Sequence, residues 1–224
     1  MTNIIRSGKN TLPMVWKVSS GAAVEQLLIR FGFFTFAKIV AELGTDSFAA
    51  HQIGMNIVSL SFACGDGLGV AASALVGQNL GKERPDMAII YGKAGQRIGF
   101  AFSALMFVLF TVFPYQIVGV FTDTPHVVEM MIGIMYFISL TAITQISQVV
   151  FSGCLRGAGD TKYMAMVSFV SIALIRPCLC YLLCFPAGMG VVGAWVALFI
   201  DQTMRCILSS VRFAGGKWTK IKLE

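Results

Sequence analysis

The stretch "MMIGIMYFISLTAITQISQVVF", residues 130–151, runs for 22 residues without a charge. As an α-helix rising 1.5 Å per residue it is about 33 Å long, enough to cross the roughly 30 Å hydrocarbon core of a bilayer. It shows no alternation of polar and apolar residues, so it does not read as a barrel strand. Five more runs share its character, at 18–37, 50–78, 98–121, 164–186 and 190–211. Only helices and closed barrels pair every backbone group inside lipid. The pattern therefore predicts an all-α integral membrane protein, a bundle of six transmembrane helices. The second run is longer than a span requires and carries "GDGLGV" at 65–70, which predicts a tilt or a break. Pro114 and Pro177 predict kinks or helix ends.

Composition agrees. The 224 residues are 56% hydrophobic and 12% charged, with mean hydropathy +0.77. A soluble domain carries about 25% charged residues and needs them to cover its surface. The opening "MTNIIRSGKNTLP" is polar and lacks the apolar core of a cleavable signal peptide. Six cysteines suggest pairing at first sight, but Cys64, Cys154, Cys178, Cys180, Cys184 and Cys206 mostly lie inside apolar runs. They read as small hydrophobes. "CLCYLLC", 178–184, has no histidine nearby and does not match zinc spacing.

Charge orients the bundle. Arg6, Lys9, Lys17, Lys82, Arg84, Lys93, Arg97, Arg156, Lys162, Arg212, Lys217, Lys220 and Lys222 flank one side, and Lys38 alone flanks the other. Lys and Arg stay cytoplasmic, which predicts both termini and the 79–97 and 152–163 loops inside. The loops near 38–49, 122–129 and 186–190 then face out. The expected organisation is a cytoplasmic segment over 1–17, a membrane lobe over 18–211 and a basic cytoplasmic tail over 212–224. The net charge of +6 is orientation charge with some affinity for anionic lipid heads, and implies no nucleic-acid partner.

Enzyme signatures are missing. "GAGDTK", 157–162, is not a phosphate loop, since it lacks the G-x-x-x-x-G-K-[ST] spacing and a preceding strand. His51 and His126 have no second ligand at metal spacing on their own helix turns. No nucleophile elbow or zinc-protease motif occurs. Gly65/Gly69, Gly77/Gly81 and Gly95/Gly99 have the small-xxx-small spacing that lets helices approach closely.

The charges inside the spans are more informative. Glu25, Arg30, Asp66, Arg176, Asp201 and Arg205 fall within apolar runs, where such residues face a bundle interior or a wet cavity. Asp201 and Arg205 are spaced i, i+4 and suit a structural ion pair, with Arg205 near enough to the flank to snorkel. Arg176 precedes Pro177 and either holds a carbonyl freed by the proline or serves a functional site. Glu25 has Gly21, Ala22 and Gly32 at i−4, i−3 and i+7, a small-residue face that points it into the bundle. An intramembrane carboxylate there reads as a proton or cation site, or as a neutral packing group. Arg30 is about 140° around the helix from it and is not its automatic partner. Gln52/Asn56, Thr141/Gln145 and Thr144/Gln148 are i, i+4 polar pairs. They either line a cavity or hydrogen-bond between helices of a dry bundle.

Together, "LPMVWKVSSGAAVEQLL" (12–28), "LGTDSFAAHQIGMN" (43–56), "LVGQNLGKERPDMA" (75–88), "GCLRGAGDTKY" (153–163) and "GVVGAWVALFIDQTMR" (190–205) resemble the multidrug and toxic compound extrusion family of cation-coupled antiporters. The resemblance covers nearly the whole chain. It implies one lobe of a twelve-helix, two-lobe antiporter, more similar to the C-terminal lobe, whose N-terminal six-helix lobe is an expected partner. It also implies a plasma-membrane location, export of drugs or amphipathic organic compounds, no cofactor, and a cation-coupling role for Glu25. Sodium-coupled members often add a carboxylate in the fourth helix of that lobe. Span four holds none, with Glu129 at its outer edge, so the resemblance favours a proton over sodium as the coupling ion. Other readings are a non-transporting truncated remnant or scaffold, or a flippase for lipid-linked oligosaccharides.

Overall fold

A computed structural model describes Leu27 and residues 29–220. Its helices are α1 (29–41), α2 (Thr45–Gly81), α3 (Pro85–Val112), α4 (Pro114–Gly119), α5 (Pro125–Gly157), α6 (Thr161–Ser168), α7 (Arg176–Cys184) and α8 (Gly190–Ala214). A π-helical segment, Phe169–Ile175, joins α6 to α7 into one rod, and a short 3₁₀ turn, Lys217–Lys220, follows α8. Among the described residues five rods are long and apolar enough to cross a membrane. α1 adds a sixth helical rod among the described residues.

The turns are shorter than expected. The 79–97 loop is reduced to residues 82–84, because α2 runs to Gly81 and Pro85 opens α3. Glu83 takes a left-handed φ of 56° there. The 152–163 loop shrinks likewise, to 158–160: Asp160 N–H donates back to the Leu155 carbonyl at 2.9 Å and Gly159 supplies the left-handed φ of 83°. "GDGLGV" does not break α2, a single helix of 37 residues. At about 55 Å it exceeds the bilayer core and must tilt or protrude. The prolines act as expected. Pro114 separates α3 from α4, and Pro177 follows the π segment, where Arg176 N–H reaches back to the Ser171 carbonyl. The missing Pro177 donor removes one α-helical bond, and the wider π turn absorbs the mismatch.

Helix α5 is the centre, packed by α2, α3 and α8. Its approach to α2 is backbone on backbone. A Cβ on Gly153 would collide with the Gly69 carbonyl, and one on Gly157 with that of Ser73. Of the spaced glycine pairs, Gly65/Gly69 and Gly95/Gly99 do sit at helix contacts, whereas Gly81 faces open space. The two ends of the bundle differ in charge. Arg212 Nε meets Asp160 Oδ2 at 2.7 Å, and Tyr163 Oη donates to the Leu208 carbonyl at 3.2 Å. The α2–α3 turn, the α5–α6 turn and the end of α8 thus share one end, with Lys82, Arg84, Lys93, Arg97, Arg156, Lys162, Arg212 and Lys217. His126 lies 4.0 Å from Asp46 at the opposite end.

Candidate functional site

Three intramembrane charges meet in one cluster. Arg176 donates from Nε to Asp201 Oδ2 at 3.1 Å and from Nη2 to the same oxygen. Arg205, one turn along α8, places Nε 3.6 Å from that oxygen and donates from Nη2 to Gln202 Oε1 at 2.7 Å. All four residues are buried. The Arg176 guanidinium also lies over the Phe33 ring, 5.0 Å from its centroid. The sequence expectation for the Asp201–Arg205 pair holds. Two others are corrected. Arg176 does not serve a proline-freed carbonyl, because a carboxylate in a low-dielectric interior is the stronger partner. Arg205 does not snorkel, because Asp201 and Gln202 hold its head inside the bundle. With two guanidiniums and one carboxylate the cluster carries a formal surplus of one positive charge.

The cluster borders a cavity of about 520 Å³ among α1, α2, α5, the α6–π rod and α8. Arg205 belongs to both. Phe33, Asp66, Gln148, Ser152 and Arg156 are among its other lining residues. Gln148 Nε2 donates to Ser152 Oγ at 2.7 Å, one turn apart. The wall therefore mixes cations, a carboxylate, small polar groups and an aromatic ring, a lining suited to an amphipathic organic molecule.

The remaining polar residues divide. Gln148 and Asp66 line the cavity. Gln52 and Asn56 do not; they are exposed on α2 in a stripe with Ser59 and Asp66. Thr144 donates to the Thr141 carbonyl at 3.1 Å. Thr141 and Gln145 are buried, and Thr141 Oγ1 and both Gln145 side-chain polar atoms lack hydrogen-bond partners. Among the described residues this pair does not line that cavity and bonds no other helix. Arg30 is exposed beside Phe31 and Phe34 and makes no ion pair among the described residues. Glu25 lies outside the described residues.

Ser152 and Arg156 were missed from sequence. They extend the α5 stripe from Gln148 in steps of four, a signal that was present, but Arg156 was counted only as flanking charge. His51 was also underrated. It is buried, with its ring 5.1 Å from Phe36 and 5.8 Å from Trp195. Gly54 makes room for the Trp195 ring, against which a Cβ would collide. The six cysteines are free thiols.

The MatE family profile matches residues 22–182. The chain belongs to the MatE family. It is 27% identical over 225 residues to a probable multidrug resistance protein NorM of Thermotoga maritima, covering 95% of this chain and 47% of that relative. It is 32% identical over 185 residues to the multidrug resistance protein MdtK of Yersinia pestis, covering 80% of this chain and 40% of that relative. A solved structure described as MATE in the bent conformation superposes with a TM-score of 0.81 at 16% identity, over 94% of this chain and 47% of that one. An inward-facing multidrug resistance MATE family transporter gives 0.79 at 16% identity, over 96% of this chain and 50% of that one. At this identity the likeness shows the fold, that of a multi-pass helical membrane protein. The chain spans about half the length of the relatives it matches.

Proposed function

We propose that this MatE chain is the C-terminal six-helix lobe of a secondary multidrug antiporter of the plasma membrane, working against a second six-helix lobe, with both termini cytoplasmic. One observation carries the reading. The exposed stripe on α2 is polar, with Gln52, Asn56, Ser59 and Asp66. The exposed face of α3 is apolar, with Ile90, Ile98, Leu105, Val108 and Val112. Hydrocarbon satisfies the second face and not the first. The α2 stripe therefore belongs against a wet cavity or a partner, and a second lobe supplies both. The relatives' names and the half-length match support the same view.

Coupling to a proton, with sodium as the alternative, is assigned to Glu25. In sequence it lies four and eight residues before Ile29 and Phe33, which line the cavity, and this spacing shares one helix face. A carboxyl there can change charge between two arrangements of the lobes, and it drives transport only through the difference in stability it creates between them. Small organic molecules of mixed polarity are the proposed substrates. The test is Glu25→Gln in the two-lobe transporter. Expression is expected to persist and gradient-driven export to cease, since Gln keeps the shape and removes the titration. Export at the parental rate across a range of pH would show that this carboxyl is not the coupling group.

A further inference from the structure

A second, larger cavity of about 900 Å³ lies between α3, α5 and α8 at the positively charged end of the bundle. It is separate from the cluster and cavity described above. Lys93 and Arg97 line it from successive turns of α3, and no carboxylate among the described residues lines it. Phe100 follows on the same helix, about 10 Å from Lys93 along the axis towards the membrane centre. Phe151 and Phe213 form the inner wall, their rings 5.4 Å apart. Gly92 lets Phe213 sit against α3: a Cβ there would come within 2.6 Å of that ring.

The mouth at the charged end is shaped by the chain after α8. Gly216 takes a φ of 64° and turns it into the 3₁₀ segment. There the Trp218 indole stacks on Phe213 at 5.0 Å and donates from Nε1 to the Phe213 carbonyl at 2.7 Å. The groove thus has Phe213 and the two cations at the charged end and Phe100 deeper in. Gln96 also lines this space, and its buried side-chain oxygen has no hydrogen-bond partner among the described residues. The α3 face beside it is the apolar one that hydrocarbon suits, with Phe100 61% exposed.

We infer that this groove binds an anionic glycerophospholipid, with its phosphate between Lys93 and Arg97 and an acyl chain along Phe100 and Phe151. Charge selects the occupant. Two cations and no carboxylate disfavour an organic cation, and a free phosphate would leave the phenyl wall unused. The net negative charge of phosphatidylglycerol matches Lys93 and Arg97, and the zwitterion of phosphatidylcholine does not. Each Lys or Arg near an anionic headgroup contributes roughly fivefold in binding, so the pair contributes about thirtyfold.

The experiment measures lipid retention by native mass spectrometry. The purified 224-residue chain is delipidated and titrated with phosphatidylglycerol or phosphatidylcholine. Phosphatidylglycerol is expected to bind at least tenfold more tightly. Lys93→Gln with Arg97→Gln should erase that preference, with helicity by circular dichroism unchanged. Lys82→Gln with Arg84→Gln removes two cations at the same end that do not line the groove, and should leave the preference intact. Phe100→Ala should weaken both lipids while sparing the preference. Equal binding of the two lipids by the parent would overturn the assignment. So would an equal loss in the Lys82/Arg84 variant, which would mark diffuse surface charge. Displacement by inorganic phosphate at matched concentration would overturn the lipid as occupant.

Discussion

Replacing Asp201 by Asn tests whether the buried cluster is one electrostatic unit. In the parent, one carboxylate oxygen serves Arg176 Nε at 3.1 Å and Arg205 Nε at 3.6 Å. At an effective dielectric of about 20, those separations correspond to gross attractions of about 5 and about 4.5 kcal/mol. Most of this is offset by the desolvation of three buried ions, so neither figure is a net contribution. Removal of one partner is different, because the others stay buried. Asp201→Asn leaves two guanidiniums facing a neutral amide. The expected loss is about 3–5 kcal/mol, the range for breaking a buried pair. Arg176→Gln should cost less, since Asp201 keeps Arg205. Arg205→Gln should cost least, since its contacts to Asp201 and Gln202 lie within α8 and Asp201 keeps Arg176. Arg176→Gln combined with Asp201→Asn removes both close partners, and its cost should fall short of the sum of the single variants by at least about 1.5 kcal/mol. The assay is reversible unfolding of the purified protein in mixed micelles with rising dodecyl sulfate, followed by circular dichroism. A loss below about 0.5 kcal/mol for Asp201→Asn, or strict additivity in the double variant, would refute the argument.

Two further outcomes follow from packing and charge. Gly153→Leu should abolish the folded bundle, since its side chain meets the Gly69 backbone, which cannot move aside. Gly81→Ala faces open space and should be neutral or stabilising by up to about 1 kcal/mol; folded yield after detergent extraction compares the two. In a cysteine-free background, Lys162→Cys should be labelled by an impermeant thiol reagent only from the cytoplasmic side, because this exposed position sits at the charged end. Labelling from outside intact cells would reverse the orientation.

Much of this protein was decided by chain chemistry alone. A charge-free run such as 130–151 has no structured alternative to a membrane helix, because lipid offers its backbone no other hydrogen-bond partners. Span number, the charged end and the family could be read from that rule, the Lys/Arg bias and the quoted motifs. The i, i+4 pairing of Asp201 with Arg205 was also legible, because helix period alone places them together. Contacts between helices were not. Arg176 is 25 residues from Asp201, and nothing local in "IRPCL" says which carboxylate it meets. Gly65 and Gly69 were legible as contact glycines on α2, but nothing local said that Gly69 would meet Gly153 or that Gly157 would meet Ser73. Gln145 shows the limit most clearly. Its spacing from Thr141 suggested a cavity wall or an interhelical bond, and neither alternative could be chosen without knowing which helices pack over it. Periodicity assigns a residue to a face of its own helix; only the packing of the other helices decides what that face meets.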